Sequence, residues 1–186
     1  KNTCSICNEN LEEIIDLGKC PPANNFVDSK SDAVTSYPLI VDFCNKCFCI
    51  QLRHCLSKDE LYSYYTYSTP KIESLNNHYE ALLKKLKSLG FGHQNQSCIE
   101  IGSNNGNLLK FLEPNFEKVL GVDPAKNIAS IAVQNGIETV IDFFSTQLAN
   151  QISKRFKKFD VAIARHMFAH NEDPAELLSA MSLILD

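Results

Sequence analysis

Two stretches of this chain combine residue types and spacings suited to chemistry. The first is a turn, Gly102-Ser103-Asn104-Asn105-Gly106, that follows a short apolar run, Cys98-Ile99-Glu100-Ile101. A helical pattern comes next (Leu108, Leu109, Phe111, Leu112), then a second apolar run, Val119-Leu120-Gly121-Val122, that stops at Asp123-Pro124. Strand, glycine turn, helix, strand, acid is half of a nucleotide-binding crevice. Glycines let the backbone approach a ligand where a side chain would collide, and the acid is placed to accept both hydroxyls of a ribose. The glycine spacing selects among ligands. A dinucleotide turn reads G-x-G-x-x-G, whereas this one is G-x-x-x-G, and no Gly-Lys-Ser/Thr of a phosphate loop follows. A ligand with a ribose and no phosphate remains, which points to S-adenosylmethionine and away from nicotinamide chemistry. The alternative is an ordinary βαβ unit with a tight turn.

The second stretch is the amino-terminal cysteines. Cys4-x-x-Cys7 and Cys44-x-x-Cys47 are two short knuckles about 40 residues apart. Two such pairs supply four thiolates in a tetrahedron, the set a structural Zn²⁺ takes. A closed four-thiolate site leaves no position for water, so it staples a small lobe and does no chemistry. A redox pair is the rival, but neither pair sits at a strand-to-helix junction. Cys49 competes as a ligand; within Phe48-Cys49-Ile50 it reads as a core residue. Cys20, Cys55 and Cys98 read as buried small hydrophobes, and His54 as structural.

Two further segments present polar groups to the expected crevice. Leu61 to Ser68 packs four tyrosines into six positions, either as packing or as a lid or wall over a polar ligand with phenol hydroxyls aimed inward. Arg165-His166-Met167-Phe168-Ala169-His170 follows an apolar run, Phe159 to Ala164. His166 and His170 suit either a general base at the substrate or a brace for the loop before Asp173-Pro174.

The elements that must position these groups follow from periodicity. Residues 1–56 form the zinc lobe, 57–90 the Tyr-rich segment and a bridging helix, and 91–186 an α/β domain. The helix spans about 72–89, stopped by Gly90, with His78 as a packing residue. Strands at 98–101, 119–122, 137–141 and 159–164 alternate with helices at about 106–112, 125–135 and 146–155. Such alternation means a parallel sheet with right-handed crossovers, ligand at the carboxyl ends of the strands. The fold class is therefore α/β, a small zinc lobe before a Rossmann-like sheet. That sheet reads as truncated at its carboxyl end, so the chain is expected to be a fragment.

Composition sets outer bounds. The chain has 186 residues, 44% of them hydrophobic, and a net charge of −4, which gives no nucleic-acid surface. No apolar run reaches the length of a membrane span, and KNTCSICNEN is not a signal peptide, so a cytoplasmic setting is expected.

In order and spacing these pieces resemble the S-adenosylmethionine-dependent sugar C-methyltransferases, which methylate a carbon of a nucleotide-linked deoxyketosugar. The resemblance rests on Cys4, Cys7, Cys44 and Cys47, on Pro22-Ala23-Asn24-Asn25-Phe26 and on Tyr65-Thr66-Tyr67-Ser68. It continues through Glu100 to Gly106, Gly121-Val122-Asp123-Pro124 and Arg165 to His170. It implies that Gly102, Ser103, Asn104 and Gly106 wrap the methionine part of the cofactor, with Glu100 also among the cofactor-binding residues. Asp123 and Pro124 would meet the ribose, and Asp142 and Phe143 the adenine. Tyr65, Tyr67 and His170 would face the sugar, with His166 beside them. The family usually has Asp where Asn105 stands and often Asn where His166 stands. Its best base candidates belong to a further carboxyl-terminal domain, so this piece alone is expected to be inactive or nearly so. Two other readings stay open: an O- or N-methyltransferase of another small metabolite, and a non-catalytic zinc-ribbon interaction module.

Overall fold

The computed structural model describes residues 2–23, 26–29, 33–62, 65–70 and 72–186. Asn24 and Asn25 of the resemblance, and Tyr64 of the Tyr-rich segment, lie outside the described residues. The chain divides into two units: Lys1–Leu61 with Glu172–Ala175, and Tyr62–Asn171 with Glu176–Asp186.

The first unit is an antiparallel sheet of β1 (Glu12–Cys20), β2 (Tyr37–Phe43) and β3 (Ile50–Leu52), in that order. Helix α1 (Lys58–Tyr62) follows. This sheet has almost no apolar core. Eight of the nine residues of β1 are exposed, including Ile14, Ile15 and Leu17. Among described residues 2–61, only Cys4, Asp42 and Cys44 are buried. Asp42 holds its charge because Arg53 grips it through Nε and Nη2, at 3.0 and 2.6 Å.

The second unit begins with α2 (Glu73–Ser88). Gly90 ends it at φ +86°, with Gly90 N–H on the Lys87 carbonyl and Phe91 N–H on the Leu86 carbonyl, a six-to-one closure that requires the left-handed backbone. Then come β4 (Ser97–Ile101), α3 (Asn107–Leu112), β5 (Lys118–Val122), α4 (Lys126–Gln134), β6 (Thr139–Val140), α5 (Thr146–Arg155), β7 (Val161–Ile163) and α6 (Pro174–Ile184). The sheet is parallel with order β6-β5-β4-β7, so the chain moves outward from β4 and returns to its other side. Alternate residues supply two cores. Cys98, Val119, Val161 and Ile163 meet α2 and α3 on one face; Ile99, Ile101, Leu120 and Val122 meet α5 and α6 on the other.

Three expectations need correction. β6 is two residues, where the apolar run suggested five, because Ile141 and Asp142 are already exposed. His78 lies exposed on α2 while its neighbour Tyr79 takes the buried position. Cys49 is half-buried, because Phe48 and Ile50 on either side are 73% and 64% exposed; Cys20 is half-buried too, and Cys55 is exposed. Only Cys98 of that group is a buried hydrophobe.

Candidate functional site

The two knuckles have the same backbone. Cys4 N–H bonds the Glu9 carbonyl and Asn8 N–H the Cys4 carbonyl; forty residues on, Cys44 N–H bonds the Cys49 carbonyl and Phe48 N–H the Cys44 carbonyl. Asn8 and Phe48 both turn left-handed at φ +61° to close them. Asparagine tolerates that conformation, whereas phenylalanine is strained there. The four sulfurs of Cys4, Cys7, Cys44 and Cys47 lie within 4.8 Å of one another, with Cys4 and Cys47 at 3.5 Å and Cys7 and Cys44 at 3.5 Å. Zinc with sulfurs at ~2.3 Å places them ~3.8 Å apart, so the set fits the ion. Backbone amides support thiolates at Cys4 and Cys44; at Cys7 and Cys47 they are outweighed, and burial and the neighbouring sulfurs push the thiols up. Burial opposes ionisation of Cys4, yet the N–H groups of Cys7 and Ile6 bring it down to about 6. The N–H of Cys47 likewise lowers Cys44, against its burial.

In the second unit, the glycine turn forms at the carboxyl end of β4. Gly102 and Ser103 both donate N–H to the Val122 carbonyl, at 2.8 and 3.1 Å, which ties the turn to β5. Gly102 and Gly106 have φ of +73° and +76°. A Cβ on Gly102 would stand 3.0 Å from Met167 Cγ, and one on Gly121 would stand 2.6 Å from Ser103 Oγ. Asn104, at φ +51°, and His166, at φ +50°, follow adjacent strands β4 and β7, and such unfavoured backbone gathers at functional edges.

Asp123 directly follows β5 and is buried. Its Oδ2 accepts Asn104 N–H at 2.8 Å and its Oδ1 accepts Ala125 N–H at 3.0 Å. Burial raises its pKa while those two amides hold it down. A carboxylate offers about four acceptor positions, so roughly two stay available to hydroxyls. Pro124 beside it is half-buried. Beyond β6, Asp142 is exposed and its Oδ1 takes the N–H of half-buried Phe143. Tyr65 is half-buried, Tyr67 is 50% exposed, and their rings meet edge-on at 6.4 Å. His166 is exposed, as is His170, which ends the short turn Phe168–His170.

Glu100 is wholly buried, and Oε1 receives Arg165 Nε at 3.1 Å and Nη2 at 3.0 Å. Oε2 finds no partner among the described residues, and the guanidinium lies 5.2 Å over the Tyr79 ring. Sequence reasoning missed Arg165 and Tyr79 as the supports of Glu100. The only signal was an arginine directly after an apolar strand. A cleft of about 330 Å³ opens beside Gly106, between Pro70, Tyr79, Lys110 and Phe111.

Burial pushes Glu100 up to about 7, against the pull of Arg165 and with a further push from Asp123. Its ordinary value is 4.5, so between these values the folded chain holds more protons than the unfolded one. Stability should therefore fall as pH rises from about 5 to about 7. Glu100→Gln is expected to flatten this slope in thermal melts, whatever it does to the absolute midpoint. Parallel slopes for the two proteins would mean that Arg165 fully compensates the charge.

A profile for a zinc binding domain matches residues 4–62, and one for a methyltransferase domain matches residues 74–186, more than half of the chain. The chain belongs to the methyltransferase-domain family. The C-methyltransferase NovU of Streptomyces niveus is 30% identical over 186 residues, spanning 98% of this chain and 44% of NovU. The chain thus spans less than half the length of that curated relative. Among solved structures, the plantazolicin methyltransferase BamL, in complex with SAH and a desmethyl analog, is 20% identical over 61% of this chain and 44% of that one, with a TM-score of 0.49. The magnesium protoporphyrin IX methyltransferase ChlM of Synechocystis, with bound SAM, is 16% identical over 67% and 63%, with a TM-score of 0.47.

Proposed function

We propose that this methyltransferase-family chain binds S-adenosylmethionine in the Gly102–Gly106 turn and serves carbon methylation of a nucleotide-linked deoxyketosugar. The observation that carries the reading is the G-x-x-x-G turn after β4 with Asp123 just beyond the neighbouring strand, each of its carboxylate oxygens accepting one backbone N–H. The bound cofactor supplies an electrophilic methyl group on a sulfonium. Asp123 takes the ribose hydroxyls, with Pro124 alongside, and Asp142 and Phe143 flank the adenine. Gly102, Ser103, Asn104 and Gly106 surround the methionine part, whereas Glu100, expected among the cofactor residues, is wholly buried and pairs with Arg165. Tyr65, Tyr67, His166 and His170 face the substrate. Making carbon a nucleophile requires removal of a proton beside the ketone, and imidazole is a side chain able to take one. NovU being a C-methyltransferase supports carbon as the acceptor; the sugar rests on the motif resemblance.

The zinc is structural, since four thiolates close its coordination sphere. No helix among the described residues is long and apolar enough to cross a membrane. A cytoplasmic setting suits eight free cysteines, four of them grouped for a metal.

Calorimetric titration of S-adenosylhomocysteine into the chain, with NAD as the control, tests the reading. Micromolar binding of the first and none of the second is the expected result. Binding of NAD, or of neither ligand, would overturn it for this chain.

A further inference from the structure

The segment Tyr65 to Thr69 carries two tyrosines assigned to the substrate side, yet it has no regular secondary structure. Among the described residues no backbone–backbone hydrogen bond holds it. Four asparagine side chains hold it instead. Asn127, on α4, accepts Tyr65 N–H at 3.3 Å and donates to the Tyr65 carbonyl at 2.8 Å. Asn104, in the glycine turn, accepts Thr69 N–H at 2.8 Å and donates to the Tyr67 carbonyl at 3.0 Å. Asn105 donates to Ser68 Oγ at 2.9 Å and to the Thr69 carbonyl at 2.8 Å, and Asn107 donates to that same carbonyl at 2.9 Å.

An amide side chain is the group for this task, because it donates and accepts as a peptide does. Asn104 and Asn127 use both capacities on backbone, so they replace the missing strand partner. None of these bonds uses a tyrosine side chain, so the rings are left to meet a ligand and one another, tilted at 5.8 Å (Tyr62 and Tyr65) and edge-on at 6.4 Å (Tyr65 and Tyr67). Aspartate at these positions would keep the acceptor, lose the donor and set a charge against carbonyl oxygens. Asn104 also gives its own N–H to Asp123 Oδ2. A single residue therefore touches the acid assigned to the ribose and the strap that carries the tyrosines.

We infer that Asn104, Asn105, Asn107 and Asn127 are positioning residues that latch the Tyr65–Thr69 strap onto the cofactor turn, so that cofactor occupancy tightens the substrate-side tyrosines. The coupling rests on the cofactor reading of that turn, whereas the latch itself does not. Hydrogen exchange with mass spectrometry on the full chain separates the two. Without ligand, Asn127→Asp should speed exchange at the Tyr65 end, and Asn105→Asp at the Thr69 end, each roughly tenfold, with β4 and α5 unchanged. Asn150→Asp, at an exposed position of α5, is the control and should leave the strap alone. Two variants at opposite ends guard against one that merely unfolds. S-adenosylhomocysteine should slow strap exchange in the unaltered chain, and slow it less in Asn127→Asp. A purely structural role would not make strap exchange depend on ligand. Unchanged strap exchange in both unliganded variants overturns the latch, whatever the ligand does. Ligand binding with no change in the strap overturns the coupling. Failure of the ligand to bind, with both variants loosened, supports the latch and tells against the cofactor reading alone.

Discussion

Stripping the metal with a chelator should unfold the cysteine unit while leaving the parallel sheet in place. The reason is the near absence of any other core. Between residues 2 and 61 the described buried residues are Cys4, Asp42 and Cys44, and two of those are metal ligands. The large apolar side chains that normally stabilise a sheet face solvent here: Ile14 at 52% exposure, Leu17 at 54% and Phe48 at 73%. What joins the first knuckle to the second is therefore the sulfur cluster, Ser5 bonded to Gln51, and exposed pairs such as Lys46 with Glu9. An exposed ion pair contributes ~0–1 kcal/mol, against roughly 10–16 kcal/mol for a structural zinc. Cys44→Ser should act as chelation does, since it removes a buried ligand. The measurement is hydrogen exchange of β1 and β2 before and after chelation, read beside β4 and β5. Persistent protection of β1 in metal-free protein would show that the sheet folds without the ion.

The local elements of this site were more legible in the sequence than the contacts that support them. The cysteine spacing, the glycine turn and Asp123 are local signals: each depends on residues a few positions apart, and the structure places them accordingly. The alternating cores were legible for the same reason, since a strand buried on both faces reads as a continuous apolar run. What was missed depends on distant partners. Glu100 meets Arg165 across 65 positions, and Asn127 meets Tyr65 across 62, with no pattern in either segment to announce the pair. Cys49 and His78 were misplaced by a related ambiguity. A residue inside an apolar trio reads as core, but Phe48 leaves the knuckle left-handed, and both it and Ile50 point to solvent. Periodicity put His78 and Tyr79 together on the apolar face of α2, and only packing chose between them.

The second large effect is expected at Gly106, and a neighbouring glycine supplies its control. Gly106 and Gly136 both have left-handed backbone, at φ +76° and +82°. Any L-residue pays there, by roughly 1–2 kcal/mol. Their surroundings differ. Around Gly136 a Cβ would meet nothing within 4 Å, whereas at Gly106 it would stand 2.9 Å from Ala132 Cβ and 3.4 Å from Ile137. Neither neighbour can step aside by rotating, because a Cβ is fixed to its backbone. Ala132 lies on α4 and is fully buried, and Ile137 closes that helix with its N–H on the Ala132 carbonyl. The turn or the helix must therefore shift, at a further cost of about 1–3 kcal/mol. Gly136→Ala is expected to lower stability by the backbone cost alone, and Gly106→Ala by about twice as much or more, in urea denaturation of the parallel-sheet unit. Displacement of the turn would also move Asn105 and Asn107, which hold the Thr69 carbonyl, so Gly106→Ala should loosen the tyrosine strap where Gly136→Ala does not. Equal midpoints for the two variants, with equal strap exchange, would mean that α4 yields without cost and that the close approach at Gly106 has no role in shaping the site.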